Sequence, residues 1–448
     1  MADKPESKLG RLARLGGLTS RVGSKYIGQR LRGAFKDQAS DEAERRQLHI
    51  DSAKQVARQL GQLKGAAMKV GQSLAQAVDG LDLPEEVGSA LRQLNDKAEP
   101  VPFETIRRSV ERELEAPLEQ LFAQVDETPL GTASLAQAHV ARLHDGREVV
   151  FKVLHEGVED SVATDLMALR SMMITGRVLN RDKEELRWIF DEIEARLHEE
   201  LDYLQEAANL EELSRALQIL PGVRVPTSVP SHSGERVLTM DRLPGVPLEE
   251  FLKTATPEAR QAAGLNLTLA FFEMVYEARA LHADPHEGNY LFEPDGKVGI
   301  VDFGCVKRYS EHWVADYARV GELAFSGQRA ACVAILREMG ALGSAASSDE
   351  GLLWDFVHAL AKPFQSGRMT AGGPRDTVDQ DLKAMAPRFV LHPKVRTPRQ
   401  MVFMHRSLGG TYAMLKRLQA RQDWGALAAG YHARAIARAE GRPVPARP

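Results

Sequence analysis

The chain has 448 residues, of which 43% are hydrophobic, 27% charged and 6% aromatic, with a formal net charge of −4. That length allows two or three domains, or one two-lobed unit with extensions, and the near-neutral balance excludes a generic nucleic-acid binder. Two cysteines, Cys305 and Cys332, exclude a disulfide scaffold or a cysteine-built zinc cluster and fit a reducing compartment.

In chain order, residues 1–36 form a basic arm with nine Lys or Arg against two acids. Leu9, Leu12, Leu15, Leu18, Val22, Tyr26, Leu31 and Phe35 recur with basic residues between them, which suits an amphipathic segment on an anionic membrane lipid surface. Six glycines in the same stretch weaken a continuous helix and suit a solvated arm, so both readings stand. There is no signal core and no apolar run of the roughly 20 residues that a span needs. The best candidate, "LNLTLAFFEMVYEA", is interrupted by Glu273. The expectation is a cytoplasmic protein, at most peripheral at the inner face of a membrane.

Residues 37–126 read as a helical extension, rich in Ala, Gln, Leu, Lys and Glu and then punctuated by Pro84, Pro100 and Pro102. Residues 127–243 change character. "AQAHVARL" and "REVVFKVL" around "HDG" predict a β-hairpin; helical patterns follow, and then "VRVPTSV" and "ERVLTMDRL" read as strands. Residues 244–448 are mainly helical, apart from the short strand pair in "YLFEPDGKVGIVDF", and "SGRMTAGGPRDT" reads as a mobile loop.

Phosphoryl transfer from ATP needs phosphate charge neutralised, a divalent metal, and a group near the acceptor oxygen. Protein-kinase-like sites supply these in a fixed chain order: a strand Lys, a helix Glu, a loop Asp, an Asn and a DFG Asp. Here "VVFK" ends in Lys152, whose ammonium suits the α and β phosphates, and "ELDYLQEAANL" offers Glu206 to hold it. "HADPHEGN" offers Asp284 for the acceptor and Asn289 as a metal ligand, and "IVDFG" offers Asp302, a hard carboxylate suited to Mg2+. The 5-residue interval from Asp284 to Asn289 is the kinase catalytic-loop spacing, and a short strand pair within the following 13 residues would bring Asn289 and Asp302 back to one ion. Each element alone is a weak signal, and the ordered set is specific. His282 and His286 make an HxxxH pair, better read as loop-framing residues because no third ligand is evident.

Two departures stand out. No G-x-G-x-x-G precedes Lys152; "PLGTASLAQAH" holds Gly131, Thr132, Ala133 and Ser134 in its place. Lys152 and Glu206 are 54 residues apart, so a helical insertion must separate the strand from the helix.

From about Leu48 to Leu418 the sequence resembles the UbiB/AarF atypical kinases, which include the coenzyme Q kinase-like proteins. "LKGAAMKVGQSLAQ" carries a KxGQ motif as Lys69, Gly71 and Gln72, and "TASLAQAH" resembles the family's alanine-rich loop. "EELDYLQEAANL" carries the ExD region as Glu200 and Asp202, and "HADPHEGN" and "DFG" match closely. "RSLGGTYAMLKRL" is similar to the family's closing helix. The resemblance implies an α+β, two-lobed, protein-kinase-like fold with a small β-containing N-lobe and a helical C-lobe. It also implies an N-terminal KxGQ extension across the active site, so that Lys69 acts in catalysis beside Lys152 and Asp284, with Gln72 facing the nucleotide. Gly131 to Ser134, Glu200, Asp202 and Glu206 would then contribute to binding ATP, and Asn289 and Asp302 to binding Mg2+. No A-P-E signature follows the DFG, which disfavours a peptide-docking platform.

The resemblance implies an ATPase or small-molecule kinase supporting ubiquinone metabolism, with isoprenoid quinone precursors and quinone-biosynthesis proteins as partners. A protein kinase acting in trans and a nucleotide-sensing scaffold are the alternatives. Nucleic-acid binding through "HPKVRTPRQMVFMHR" is disfavoured, because no reader motif accompanies it.

Overall fold

The computed structural model describes residues 100–448 apart from 160–161, 164–165, 168–169, 171–182, 343–346, 366, 392–394 and 396–397. The basic arm, Lys69 and Gln72 therefore lie outside the described residues. The chain forms two compact units. The first holds the described residues up to Leu204 together with Val229–Met240; the second holds Gln205–Ser228 and Asp241–Pro448.

The first unit opens with helices α1 (Phe103–Glu113) and α2 (Leu118–Leu121), each entered from a proline that supplies a helical φ and lacks an N–H to satisfy. Strands β1 (Gln124–Val125), β2 (Gly131–Thr132), β3 (Ala136–Arg142) and β4 (Glu148–Leu154) follow, and β3 pairs antiparallel with the other three. The β3–β4 turn is the expected "HDG" hairpin, with Gly146 at φ 90°. After α3 (Lys183–Glu200) the chain leaves this unit for α4 (Tyr203–Leu217) and β5 (Val223–Arg224), which belong to the second unit apart from the first residues of α4, and then β6 (Val237–Asp241) returns to the sheet beside β4.

Alternation along β4 decides the faces. Val149, Phe151 and Val153 are fully buried and pack on Ile106 and Val110 of α1 and on Leu118, Leu121 and Phe122. Lys152 is thereby on the opposite face.

A buried network fixes the start of the described chain to this sheet. Gln137 bonds both backbone groups of Val101, accepting from N–H at 2.8 Å and donating to the carbonyl at 3.2 Å. Its amide also donates to His139 Nε2 at 2.9 Å, and His139 Nδ1–H donates to the Asp126 carbonyl at 2.9 Å. That arrangement requires a neutral ring.

The second unit contains α5 (Leu248–Thr254), α6 (Pro257–Phe272), a π-helical turn over Glu273–Ala278, and strands β7 (Ala280–His282), β8 (Tyr290–Phe292), β9 (Val298–Ile300) and β10 (Val306–Arg308). Then come α7 (Glu311–Phe325), α8 (Arg329–Glu338), α9 (Ser347–Gln365), β11 (Arg368–Thr370), α10 (Val378–Leu391), α11 (Arg399–Leu418), β12 (Arg421–Asp423) and α12 (Trp424–Ala439). Thr256, Ser310 and Asp423 cap α6, α7 and α12 by accepting from backbone N–H groups.

Two sequence expectations change here. The segment read as a mobile loop contains β11, paired with β12, and Asp376 fixes it by accepting from the Gly372 N–H at 2.7 Å and from the Tyr412 hydroxyl at 2.6 Å. The strand expected over "VRVPTSV" is only two residues long, because Pro226 supplies no N–H to continue a ladder.

Three histidines make the fold acid-sensitive. Burial lowers the pKa of His139 and of His155, and that of His405, packed near Tyr317 and Phe356, to about 4. Each ring is neutral when folded, whereas the unfolded chain takes its protons near about pH 6.5. The stability that these three neutral rings contribute is thus fully present above that pH and declines as pH falls toward 4. Melting temperature should drop over this window, and His405→Phe, which keeps an aromatic ring without a titrating nitrogen, should flatten the drop. An unchanged slope in that variant would contradict the assignment.

Candidate active site

Across the first unit's sheet, Ala138 on β3 is the register partner of both Lys152 on β4 and Gly131 on β2. The three share one face, with Gly131 about 10 Å from Lys152, two strand spacings away. Past Gly131–Thr132 the chain turns through Ala133, Ser134 and Leu135 into β3, and the Ala133 N–H donates to the Ala136 carbonyl at 2.8 Å. His155, just after β4, holds this turn from the other side. Its amide donates to the Leu135 carbonyl at 2.8 Å, and its Nε2–H donates to the Ala133 carbonyl at 3.2 Å. Gly131 does not exploit glycine's freedom: its φ is not left-handed, and a Cβ there would meet no described atom within 4 Å. Glu200 ends α3, and Asp202 lies in the two-residue break before α4.

In the second unit, two short ladders account for the intervals of 5 and 13. The β8–β9 hairpin sets Tyr290 against Ile300, and the Val301 N–H donates to the Asn289 carbonyl at 3.0 Å, so Asn289 and Asp302 sit at one end of it. The β7–β10 pair sets His282 against Val306, and the Ala283 N–H donates to the Cys305 carbonyl at 2.9 Å, bringing Asp284 beside the DFG turn. Gly304 N–H donates to Asp302 Oδ1 at 3.2 Å, and Phe303 N–H donates to Glu206 Oε1 at 3.4 Å from α4. Glu206, Asp284, Asn289 and Asp302 are thus brought together within this unit.

The Asn289 amide is oriented by Asp284. Its Nδ2 donates to Asp284 Oδ2 and to the Asp284 carbonyl, both at 3.1 Å, which leaves Oδ1 as the atom to offer a cation. Asn289 Oδ1 with the Asp302 carboxylate is a hard-oxygen donor set that fits Mg2+, which is commonly held by one or two protein groups plus phosphate and water oxygens. No group of three or more His, Cys, Asp or Glu among the described residues is arranged to hold a metal alone.

The two histidines have framing roles. His282 is buried, near the rings of Tyr290 and Phe303, and His286 Nδ1 accepts from the Gly288 N–H at 3.1 Å.

Sequence reasoning missed Arg406. From α11 it donates to Asp284 Oδ1 at 3.0 Å, while Ser407 donates to the His282 carbonyl at 3.0 Å. Gly410, one turn further on, lets the helix touch the loop: a Cβ there would lie 2.4 Å from Pro285 Cβ. Arg417 continues the face, paired with Glu287 and Glu249. The closing-helix resemblance marks this segment, but a single arginine has no readable partner 122 positions away.

A family model of the ABC1 atypical kinase-like domain matches residues 93–336. The chain belongs to that family. Among curated relatives, the ABC1-family chain is 34% identical over 277 residues to "Probable protein kinase UbiB" of Xylella fastidiosa, covering 57% of this chain and 50% of the relative. It is 33% identical over 283 residues to mouse "AarF domain-containing protein kinase 1", covering 62% and 53% of the two chains. It is 25% identical over 422 residues to zebrafish "Atypical kinase COQ8B, mitochondrial", covering 93% and 67%. The chain spans about half the length of the UbiB relative. A solved structure of Rv3197 from Mycobacterium tuberculosis, in complex with erythromycin, aligns with TM-score 0.60 and 24% identity over 86% of this chain and 97% of that one. The fold is the two-lobed α+β, kinase-like one, and the chain is an atypical kinase-like protein.

Proposed function

We propose that this ABC1-family protein binds Mg·ATP and transfers or hydrolyses its terminal phosphate in support of ubiquinone metabolism at a membrane surface. The observation that carries the reading is the Asn289 amide, turned by two bonds to Asp284 so that its oxygen is left to offer a cation, at the end of the hairpin that also carries Asp302. A bound Mg2+ supplies charge neutralisation on the phosphates there. Asp302 and Asn289 hold the ion, and Lys152 offers its ammonium to the α and β phosphates. Glu206 contributes to the nucleotide-binding set and also accepts from the Phe303 N–H of the DFG turn. Asp284, fixed by the Arg406 guanidinium on one oxygen and by Asn289 on the other, orients the acceptor hydroxyl or water. Gly131, Thr132, Ala133 and Ser134 cover the nucleotide, Glu200 and Asp202 complete the binding set, and Lys69 and Gln72 act from the KxGQ segment.

Likeness to UbiB and COQ8B supports the link to ubiquinone. The described residues contain no helix long and apolar enough to cross a membrane, and the basic arm supports peripheral attachment to anionic lipid. A small acceptor is favoured over a peptide because only six residues, three of them in β10, separate Gly304 from α7. That is too short for an activation segment of the protein-kinase kind.

The test is ATP binding with Mg2+ or EDTA, followed by phosphate release with anionic liposomes and isoprenoid quinone precursors. Binding should require Mg2+, and turnover should rise with lipid. Undetectable binding with Mg2+ overturns the proposal; binding without turnover under every lipid condition favours the scaffold.

A further inference from the structure

Helix α4 grips the backbone of Phe303 with two side chains one turn apart. Glu206 Oε1 accepts from the Phe303 N–H at 3.4 Å, and Asn209 Nδ2 donates to the Phe303 carbonyl at 2.8 Å. The shorter bond belongs to Asn209, which is only 2% exposed. Its own amide has one workable orientation, because Oδ1 accepts from Gln205 Nε2 at 3.0 Å and from an Arg308 guanidinium nitrogen at 2.9 Å. A flipped amide would set an oxygen against the Phe303 carbonyl and an NH2 against two donors. Arg308 lies on β10 just past the DFG and is paired with Glu212 on the next turn of α4. The Phe303 ring is fully buried, near His282.

The Phe303 N–H belongs to the peptide joined to Asp302, and its carbonyl to the peptide joined to Gly304. Holding both fixes the backbone on either side of Phe303 and hence the direction in which Asp302 projects its carboxylate. We propose that Asn209 is a positioning residue for Asp302, with Arg308 locking the Asn209 amide in the orientation that can donate. This rests on the reading of Asp302 as a magnesium ligand. It predicts a metal-specific defect: loss of the bond frees the Asp302 turn to sample other orientations, so more Mg2+ is needed to select the competent one.

Asn209→Asp is the informative change. It keeps the side-chain shape and the oxygen that meets Gln205 and Arg308, but places an oxygen against the Phe303 carbonyl. Leaving a buried acceptor without its donor costs enough for an effect of about tenfold. In the full chain without nucleotide or metal, amide hydrogen exchange over residues 302–305 should accelerate about tenfold. In equilibrium dialysis with ATP, the Mg2+ concentration for half-saturation should rise about tenfold, and saturating Mg2+ should restore binding, which a general loss of fold would not permit. Arg308→Gln, at a half-exposed position, should shift the same midpoint about threefold and decides the matter if Asn209→Asp does not fold. Asp302→Asn serves as the control. If it leaves the Mg2+ dependence of ATP binding intact, the magnesium reading falls, and this proposal with it. If it abolishes that dependence while Asn209→Asp and Arg308→Gln retain the wild-type midpoint and exchange, the magnesium reading stands and the role of Asn209 is overturned.

Discussion

Asp302→Asn is expected to remove Mg2+-dependent ATP binding by at least about 100-fold, since even residues that only support a metal ligand cost 10–100-fold when lost. The asparagine oxygen can still accept the Gly304 N–H that Asp302 Oδ1 now takes at 3.2 Å, so the turn should persist. What disappears is the carboxylate charge, and a neutral amide is a poor substitute opposite a hard divalent cation. The folded protein should still melt cooperatively, with a stability change of about 1 kcal/mol, the usual size for a single substitution. Asn289→Ala should give a similar binding loss for another reason. It deletes the amide oxygen and also both bonds to Asp284, so Asp284 keeps Arg406 but loses its second tether. Isothermal titration of ATP with and without Mg2+, beside thermal melts, separates these effects. Wild-type Mg·ATP affinity in both variants would sink the assignment of this pair.

The parts of the molecule that were legible from sequence are those whose geometry is local. The β3–β4 hairpin is legible from the apolar patterning around "HDG", which places Lys152 on the second strand; the structure adds that Val149, Phe151 and Val153 are buried on the other face. The strand pair between Asn289 and Asp302 was legible because "PDG" between two apolar runs is a turn signal with a mechanism, and it carries Asn289 and Asp302 to one end of one hairpin.

The parts that were not legible depend on partners far along the chain. β7 and β10 are three residues each and pair across the whole catalytic segment, so neither has enough pattern to be read alone. The π-helical turn at Glu273–Ala278 sits at the end of a segment whose composition reads as ordinary helix; it ends where Arg279 takes a left-handed φ of 54° to enter β7. Arg406 and Asn209 look like unremarkable helix residues until their partners, Asp284 and Phe303, are placed. Sequence motifs picked out the residues proposed to meet ligands. The residues that hold them in place needed the fold.

Gly409 and Gly410, adjacent on α11, should respond oppositely to alanine. Gly409 is exposed, and a Cβ there would meet no described atom within 4 Å, so Gly409→Ala should stabilise the helix by about 1 kcal/mol through propensity alone. At Gly410 the same methyl would lie 2.4 Å from Pro285 Cβ, 2.5 Å from its Cγ and 3.0 Å from its carbonyl oxygen. Contacts that short force the helix or the loop to move, and overpacking of this kind costs about 1–3 kcal/mol, enough to offset the propensity gain. The displaced residue directly follows Asp284, and the displaced helix carries Arg406, so the Asp284–Arg406 bond should be strained from both sides. Gly410→Ala should therefore lower the melting temperature and reduce turnover well beyond the fraction unfolded, whereas Gly409→Ala should raise the melting temperature and leave turnover unchanged. Equal melting temperatures for the two variants would mean that α11 does not depend on glycine to approach the catalytic loop, and that Asp284 is positioned by the two short ladders without help from the C-terminal helix.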